Sequence, residues 1–258
     1  MPMNKFSKYE GAGNDFVMID DRADVVRLSQ DEIARICDRH FGVGADGLII
    51  LRYSADADYE MVYHNADGAV GSMCGNGARC AFAFARDLGI VDNKASFIAY
   101  DGLHYADARS EDVAITMQDV SGIEFDGTAY ILDTGSPHYV KFVDDLAEVD
   151  IVTEGRSIRN GLRFKANGVN VNFVKAHDDY LRVSTYERGV EDLTLACGTG
   201  VTAVALAFAI KSGLQSGPVE LKADGGSLTV NFIRRGEEFS DIVLAGPARR
   251  VFEGILPD

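Results

Sequence analysis

Positive charge is scarce in this chain, and long hydrophobic runs are absent. Its 258 residues include 25 Lys and Arg against 40 Asp and Glu, which gives a net charge of −15 at pH 7. Surfaces that bind nucleic acid need clustered Lys and Arg, so this balance argues against a nucleic-acid partner. The longest apolar run, "AVALAFAI" at 203–210, is too short to cross a bilayer. The opening stretch "MPMNKFSKYEGAGNDF" lacks the apolar segment of a secretory signal. We therefore expect a cytoplasmic protein that binds no membrane.

Cysteine and proline are also sparse. The four cysteines stand far apart, without a CxxC pair or a Cys/His cluster of zinc spacing. This spacing favours thiols in a reducing compartment. No motif for a metal or for pyridoxal phosphate is present either, so we expect no metal site. There are only five prolines and no low-complexity linker, so a domain boundary has to be found from another signal.

That signal is an internal repeat. Four segments of the first half recur in the same order in the second half, at offsets of 121 to 123 residues. The pairs are "GNDFVMID" (13–20) with "GSPHYVKF" (135–142), "DYEMVYHNADG" (58–68) with "DYLRVSTYERG" (179–189), "CGNGARCAFAFARDLG" (74–89) with "CGTGVTAVALAFAIKSG" (197–213), and "IAYDG" (98–102) with "LKADGG" (221–226). A nearly constant offset over four segments predicts a duplicated fold.

Each half reads as short strands around one apolar helix, which predicts an α+β fold of two pseudo-symmetric, β-rich domains. We expect one domain at 1–118 and the other at 119–249, with 250–258 returning to the first. A ligand site is expected in the cleft between them, because ligand sites favour domain interfaces. Ser29 and Glu32 fit a capping box at the start of a further helix, and Cys37 and Cys80 fit packing positions on helix faces.

The two Cys-Gly-x-Gly motifs place Cys74 and Cys197 directly before a helix. The first amides of a helix have no intrahelical partner and, with the helix dipole, favour a nearby anion such as a thiolate or a carboxylate. On opposite sides of one ligand, a thiolate removes a proton from carbon while a thiol delivers one to the other face, which inverts the centre. Packing residues, a disulfide and metal ligands are the alternatives at this stage.

Five motifs together closely resemble the diaminopimelate epimerase family: "GNDF" (13–16), "NADG" (65–68), "MCGNG" (73–77), "ERG" (187–189) and "ACGTG" (196–200). The resemblance covers essentially the whole chain. It implies an isomerase that converts LL-diaminopimelate to meso-diaminopimelate, for lysine and peptidoglycan biosynthesis, without a cofactor. It further implies two barrel-like domains, each around a central helix, and a homodimer.

The resemblance also implies roles for individual residues. Cys74 and Cys197 correspond to the two catalytic bases. The amides that would hold the carboxylate at the reacting centre are those of Gly75, Asn76, Gly198 and Thr199. The family positions that bind the substrate correspond to Asn14, Asn65, Asn170, Glu187 and Arg188. His138 matches a family histidine near one thiol, and assisting the deprotonation of that thiol is its candidate role.

Each of these residues also has a plainer interpretation. Asn14, Asn65 and Asn170 are compatible with turns, Glu187 and Arg188 with a surface ion pair, and His138 with a loop histidine.

Three features depart from the family pattern and bear on substrate specificity. Gly47 stands where some members have a substrate-facing Gln. Ser136 replaces a frequent Asn. The stretch "VEDLTLA" at 190–196 replaces the commoner "xGETxA".

Three rival functions stay open. One is another cofactor-independent racemase, such as a proline racemase or hydroxyproline epimerase, although that group typically has His where this chain has Asn76. The second is a thiol redox protein using Cys74 and Cys197, and the third is a binding module without catalysis.

Overall fold

The computed structural model describes residues 5–256 and consists mainly of β-strands. Within this range the helices are α1 (Gln30–Cys37), α2 (Gly75–Asp87), α3 (Ile151–Arg159) and α4 (Gly198–Ser212), with a short 3₁₀ helix at Leu146–Glu148. The strands are β1 (Lys5–Gly11), β2 (Asn14–Asp20), β3 (Gly47–Arg52), β4 (Tyr59–Asn65), β5 (Lys94–Ala99), β6 (Gly102–Arg109), β7 (Asp112–Thr116), β8 (Glu124–Phe125), β9 (Tyr130–Asp133), β10 (Pro137–Phe142), β11 (Asn170–Ala176), β12 (Leu181–Glu187), β13 (Asp192–Thr194), β14 (Val219–Ala223), β15 (Gly226–Arg235), β16 (Glu238–Pro247) and β17 (Arg249–Ile255).

The chain divides into two compact units. Unit 1 runs up to Ile115 and resumes at Gly246, and unit 2 is Thr116–Ala245. The sequence-based boundaries at 118 and 249 lie three and four residues from these points. In unit 1, β17 pairs antiparallel with β1, from Lys5 opposite Ile255 to Glu10 opposite Arg249. The end of the chain therefore returns to the unit in which it began, and residues 257–258 of the predicted segment lie outside the described residues.

The two units repeat one pattern of strand pairing. In unit 1, β1–β2 are antiparallel, β2–β3 parallel, β3–β4 antiparallel, β4–β5 parallel and β5–β6 antiparallel. In unit 2 the same sequence of pairings joins β9, β10, β11, β12, β14 and β15. Each parallel pair is bridged by a helix, α1 and α2 in unit 1 and α3 and α4 in unit 2, as parallel strands require a crossover. The predicted α+β fold of two similar β-rich halves is confirmed.

Each unit buries both faces of its central strands. In unit 1, Val17 and Leu48 belong to a cluster beneath α1, which contributes Ile33 and Cys37. On the other face, α2 packs against β1, β2, β3, β4 and β17. Strands that are covered on both faces have continuous apolar sequences, which explains the run "GLIIL" in β3. The same arrangement in unit 2 places Val171 and Phe173 beneath α3, and α4 against the strands.

The helices differ in how much of their surface is covered. Ser29 and Glu32 form the predicted capping box at the start of α1. Most of α4 is buried, including every residue from Gly200 to Ala207, as expected for the all-apolar run "AVALAFAI". None of the helices in the part of the chain that is described is long and apolar enough to cross a membrane.

Candidate active site

Cys74 and Cys197 occupy the same structural position in their respective units. Each is the N-cap residue of a helix, with φ and ψ of −115° and 113° for Cys74 and −117° and 114° for Cys197. Extended backbone at this position turns the first helical amides outward beyond the cap. The two cysteines therefore combine a thiol with a set of outward amides, those of Gly75 and Asn76 in unit 1 and those of Gly198 and Thr199 in unit 2.

The last residue of each Cys-Gly-x-Gly motif is glycine because little space is available there. A Cβ on Gly77 would lie 2.8 Å from Ile49 Cδ1, and one on Gly200 would lie 2.6 Å from Asn172 Oδ1 and 3.3 Å from Cys197 Sγ. Real Cβ atoms do not approach other heavy atoms this closely. The two glycines thus allow the first turn of each helix to pack closely against the sheet.

A hairpin tip meets each helix start. In unit 1 the turn between β1 and β2 has Ala12 and Gly13 at φ of 53° and 82°, the positive values of a type I′ hairpin turn. Gly11 approaches Asn76 so closely that an added Cβ would lie 3.1 Å from its carbonyl oxygen. In unit 2 the hydroxyl of Thr134, beyond β9, donates to the carbonyl of Thr199 at 2.8 Å. Asn76 and Thr199 are equivalent in the repeat.

In unit 1 this turn brings Asn14 to Cys74. The Asn14 Oδ1 atom accepts from Asn76 Nδ2 at 3.3 Å and lies 3.9 Å from Cys74 Sγ. The Sγ atom in turn accepts from the amide of Gly77 at 3.5 Å. Cys74 is half-buried and Asn76 is buried. Three of the predicted residues of unit 1 are therefore in contact.

Asn14 is oriented by a network of charged side chains that the sequence analysis did not identify. Its Nδ2 donates to Asp46 Oδ2 at 2.6 Å, and Arg39 bridges Asp46 and Asp15 at 2.7 and 2.8 Å. Burial alone would raise the pKa of Asp15, but hydrogen bonds from Arg39 and Lys8 outweigh it and lower the pKa to about 2. The sequence signal that could have indicated this network is the "GADG" motif at 44–47, which contains Asp46.

Asn65 and Gly47 lie further along the same sheet, opposite each other in the β3–β4 register. Asn65 is exposed at the end of β4, and a Cβ on Gly71 would lie 3.1 Å from its Oδ1. The Tyr63 ring lies between Gly47 and Gly71, since an added Cβ on either glycine would lie 2.5 Å from it. Tyr63 thus leaves no room for a larger residue at position 47, which explains the departure at Gly47.

In unit 2, Arg188 and Asn170 form a polar cluster with Ser136. Asn170 Nδ2 donates to Ser136 Oγ at 3.1 Å, and Asn170 Oδ1 accepts from the Arg188 amide at 2.9 Å. The Arg188 guanidinium donates to the Ser136 hydroxyl at 3.2 Å and to the Asn167 carbonyl at 2.8 Å. Ser136 therefore holds two predicted substrate-binding residues together. Glu187 ends β12 directly before Arg188.

The surroundings of Cys197 include a hydroxyl and a buried amide. Thr199 Oγ1 lies 3.5 Å from Cys197 Sγ. Asn172, fully buried near Gly200, accepts from Thr185 at 2.9 Å and donates to the Tyr139 carbonyl at 3.2 Å. Sequence reasoning missed Asn172, although strand alternation places it on the same face as Asn170.

His138 is fully buried beneath this site, and burial, with the charge of Arg188 adding to it, lowers its pKa to about 3. Its Nδ1 faces the Asn172 amide nitrogen at 3.1 Å, which makes Nδ1 the acceptor and puts the proton on Nε2. A ring of so low a pKa is neutral near pH 7 and is a weak base for a thiol. The physical chemistry favours His138 as a fixed neutral partner of Asn172.

The remaining two cysteines are both buried in unit 1. Burial raises the pKa of Cys37 to about 11 and that of Cys80 further still. Both side chains are buried, as their predicted packing roles require. Among residues 5–256, no group of three or more His, Cys, Asp or Glu side chains is arranged to hold a metal ion.

The sequence model of the diaminopimelate epimerase family matches the chain twice, at residues 6–121 and 130–251. The curated diaminopimelate epimerase of Flavobacterium psychrophilum is 44% identical over 252 residues, covering 96% of this chain and 98% of its own. That of Chlorobaculum tepidum is 41% identical over 257 residues, covering 95% and 98%.

Solved structures show the same fold at low sequence identity. A phenazine biosynthesis protein of the PhzF family from Bacillus anthracis aligns with a TM-score of 0.79 at 14% identity, covering all of both chains. A probable proline racemase from Agrobacterium radiobacter aligns with a TM-score of 0.71 at 14% identity, covering 98% of this chain and 93% of its own. The duplicated family match and the full-length curated relatives are more specific than these, and the chain belongs to the diaminopimelate epimerase family.

Proposed function

We propose that this protein is a diaminopimelate epimerase, an isomerase that interconverts LL- and meso-diaminopimelate without a cofactor, with Cys74 and Cys197 as its acid and base. The observation that carries the proposal is the equivalence of the two cysteines. Each caps a helix with nearly the same backbone angles and is followed by two amides that have no intrahelical partner. Family membership supplies the substrate class.

The reaction is a transfer of one proton from carbon and one proton to carbon. The thiolate of one cysteine takes the α-hydrogen as a proton, and the electron pair stays on carbon, delocalised into the adjacent carboxylate. Amides at a helix start favour an anion, and those of Gly75 and Asn76, with those of Gly198 and Thr199, stabilise that developing charge. The second cysteine, as a thiol, gives its proton to the opposite face. One thiolate and one thiol are present before and after, with their places exchanged.

The cluster around Arg188 is assigned to the far end of the substrate. Diaminopimelate carries a second carboxylate and a second ammonium group. A guanidinium pairs with a carboxylate in a bidentate manner, and Ser136 and the Asn167 carbonyl already restrict where Arg188 points. Asn14, Asn65 and Asn170 complete the polar contacts in this proposal, and Glu187 accepts from an ammonium group. His138 keeps Asn172 in place as a neutral ring.

Function in the cytoplasm as a homodimer is part of the proposal. Both thiols must remain reduced for proton transfer, which a reducing compartment ensures. The dimer rests on family resemblance, and sedimentation equilibrium of the purified protein tests it directly: a mass near 27.9 kDa would contradict it.

The test of the function is turnover of LL-diaminopimelate by reduced protein, with paired cysteine variants. Cys74→Ala and Cys197→Ala each remove one proton-transferring group, and general acid–base groups contribute roughly 10²- to 10⁴-fold to rate. We expect each variant to lose at least about 100-fold in kcat. Cys37→Ala is the matched control, because Cys37 is buried in a packing cluster.

The racemase and redox alternatives are decided by the same assay. Turnover of proline or hydroxyproline in place of diaminopimelate would assign the chain to another racemase activity. Dependence of activity on an oxidant would assign it to thiol redox chemistry, whereas many turnovers of reduced enzyme under a reductant support epimerisation. Full activity of either Cys74→Ala or Cys197→Ala would remove that residue from the mechanism.

A further inference from the structure

Arg79, in the second turn of α2, is a buried cation without a carboxylate partner. Its side chain has no solvent exposure, and no ion pair among residues 5–256 includes it. Nη2 donates to Asn76 Oδ1 at 2.9 Å, Nε donates to the Pro247 carbonyl at 3.3 Å, and Nη1 has no hydrogen-bond partner. Buried charges are normally paired, because desolvation is expensive. An anion that completes the balance is therefore expected nearby.

The ionisable groups around Arg79 narrow the choice of anion. In order of their electrostatic effect on it they are Cys80, Cys74, Asp112 and Glu10. Cys80 is fully buried, and burial raises its pKa so far that it stays a neutral thiol. Asp112 and Glu10 act more weakly and form no ion pair with the guanidinium. Cys74 is half-buried, and its thiolate is the strongest remaining counter-charge.

A directed chain of hydrogen bonds runs from Arg79 past Cys74. Because Asn76 Oδ1 accepts from Arg79, its Nδ2 faces Asn14 and donates to Asn14 Oδ1 at 3.3 Å. Asn14 Nδ2 then donates to Asp46 at 2.6 Å. The order of donors fixes all the side-chain amides in one orientation. Asn14 Oδ1 is thereby held 3.9 Å from Cys74 Sγ, where it accepts from the thiol form. Stabilisation of the thiolate therefore comes from the charge of Arg79 and from the Gly77 amide, which donates to Sγ at 3.5 Å, and not from Asn14.

The equivalent helix of unit 2 lacks this cation. An offset of 123 residues places Thr202 where α2 has Arg79. Thr202 is fully buried, and its hydroxyl donates to the Gly198 carbonyl within α4 at 2.9 Å. The charged group of unit 2 that acts on His138 is Arg188, which lies on the loop after β12 and is already hydrogen-bonded to Ser136 and Asn167. The two helix starts therefore differ by one buried charge. They also differ in that the Cys74 sulfur accepts from the Gly77 amide, whereas Cys197 makes no side-chain cap hydrogen bond.

We propose that Arg79 is a positioning residue that stabilises the thiolate of Cys74 and so makes Cys74 the thiol that rests in the deprotonated form. The inference rests on the proposed function for its meaning, since a resting thiolate at Cys74 is the base that starts one direction of epimerisation. The measurable consequence is a lowered pKa of the Cys74 thiol, caused by the Arg79 guanidinium, and it does not depend on any substrate.

The experiment measures the ionisation of Cys74 by its rate of alkylation with iodoacetamide as a function of pH, since only the thiolate reacts. Cys197→Ala is the background, and mass spectrometry of the peptide containing Cys74 gives the rate at that residue. The parent protein is expected to show a Cys74 pKa below about 8.5, the value of an unperturbed thiol. Arg79→Met and Arg79→Gln are expected to raise it by at least about one unit, which slows alkylation at pH 7 about tenfold.

Two further variants separate charge from packing. Arg79→Lys keeps the charge and is expected to restore a lowered pKa, whereas Arg79→Gln keeps a donor toward Asn76 without the charge. Arg86→Met removes an exposed cation from the same helix and is expected to change nothing. Protection of Cys80 from alkylation, checked in the same digest, shows that each variant keeps its fold.

The following results of the alkylation experiment would overturn the inference. A Cys74 pKa in the parent at or above about 8.5 contradicts it even if every Arg79 variant unfolds. So does an unchanged pKa in Arg79→Met with Cys80 still protected, or an Arg79→Gln protein that matches the parent. Because alkylation needs no substrate, a protein without epimerase activity that shows the shift upholds this inference and contradicts the proposed function, and an active enzyme without the shift does the reverse.

Discussion

Replacing Gly200 by alanine tests whether the start of α4 is as tightly fitted as the structure indicates. The added Cβ would lie 2.6 Å from Asn172 Oδ1, with Cys197 Cβ and Sγ at 3.2 and 3.3 Å. Asn172 has little freedom to move, because it is fully buried and hydrogen-bonded to Thr185, His138 and the Tyr139 carbonyl. The methyl group therefore displaces either this amide or the helix start.

The expected cost follows from these contacts. Three hydrogen bonds at about 1 kcal/mol each amount to about 3 kcal/mol if the amide is displaced. Alanine gains about 1 kcal/mol over glycine within a helix, so the net loss in the free energy of unfolding is about 2 kcal/mol. In Gly77→Ala, at the equivalent position of α2, the added Cβ would lie 2.8 Å from the terminal methyl of Ile49, and the next atoms, Cys74 Cβ and Phe16 Cε1, are at 3.5 Å. We expect it to cost less than about 1 kcal/mol.

Urea unfolding of the two variants beside the parent protein provides the assay. The Gly200→Ala protein should unfold at a clearly lower urea concentration than Gly77→Ala with a similar dependence on urea, and its epimerase activity should fall because Cys197 is displaced. A Gly200→Ala protein as stable as the parent would refute the account of this helix start.

Three further predictions concern other parts of the two units. Gly47→Gln should lower the free energy of unfolding by about 1–3 kcal/mol, because an added Cβ would already lie 2.5 Å from the Tyr63 ring; urea unfolding measures it, and an unchanged midpoint contradicts it. Since burial lowers the pKa of His138 from 6.5 to about 3, its contribution to stability is full above pH 6.5. That contribution is lost at about 1.4 kcal/mol per unit as the pH falls, so the difference in unfolding free energy between the parent and His138→Gln should shrink with acid. A pH-independent difference would show that the ring is not held neutral. Ser136→Ala removes the hydroxyl that accepts from Arg188, and its KM for diaminopimelate should rise about fivefold with kcat little changed; an unchanged KM would exclude this tether from substrate binding.

Much of the architecture followed from periodicity in the sequence. The nearly constant offset of the four repeated segments corresponds to matching strand pairings in the two units, and each Cys-Gly-x-Gly motif stands at the start of the apolar helix that it predicted. Both features are local or repeated, so they can be read along the chain. Ser29 and Glu32 were similarly identifiable because a capping box lies within four consecutive residues.

The supporting contacts could not be predicted, since they join residues distant in the sequence. Asn14 meets Asp46 and Asn76, which are 32 and 62 positions away. No local pattern indicates which amide atom faces which neighbour. The sequence around Arg79 gives no sign that this charged residue is buried, and only the fold shows that it is fully buried. Gly47 likewise looked like a lost substrate contact until the position of Tyr63 explained it.

The most direct test of the central claim is deuterium incorporation from solvent during epimerisation. Reduced protein is incubated with LL-diaminopimelate in deuterated solvent without added cofactor, and both isomers are analysed early in the reaction. Because the thiol that donates is already exchanged with solvent and the thiol that accepts holds the substrate proton, the meso product should carry one deuterium at the inverted carbon. The recovered LL isomer should carry little. Absence of deuterium in the product, or equal labelling of both isomers from the start, would contradict proton transfer by two thiols, one as base and one as acid.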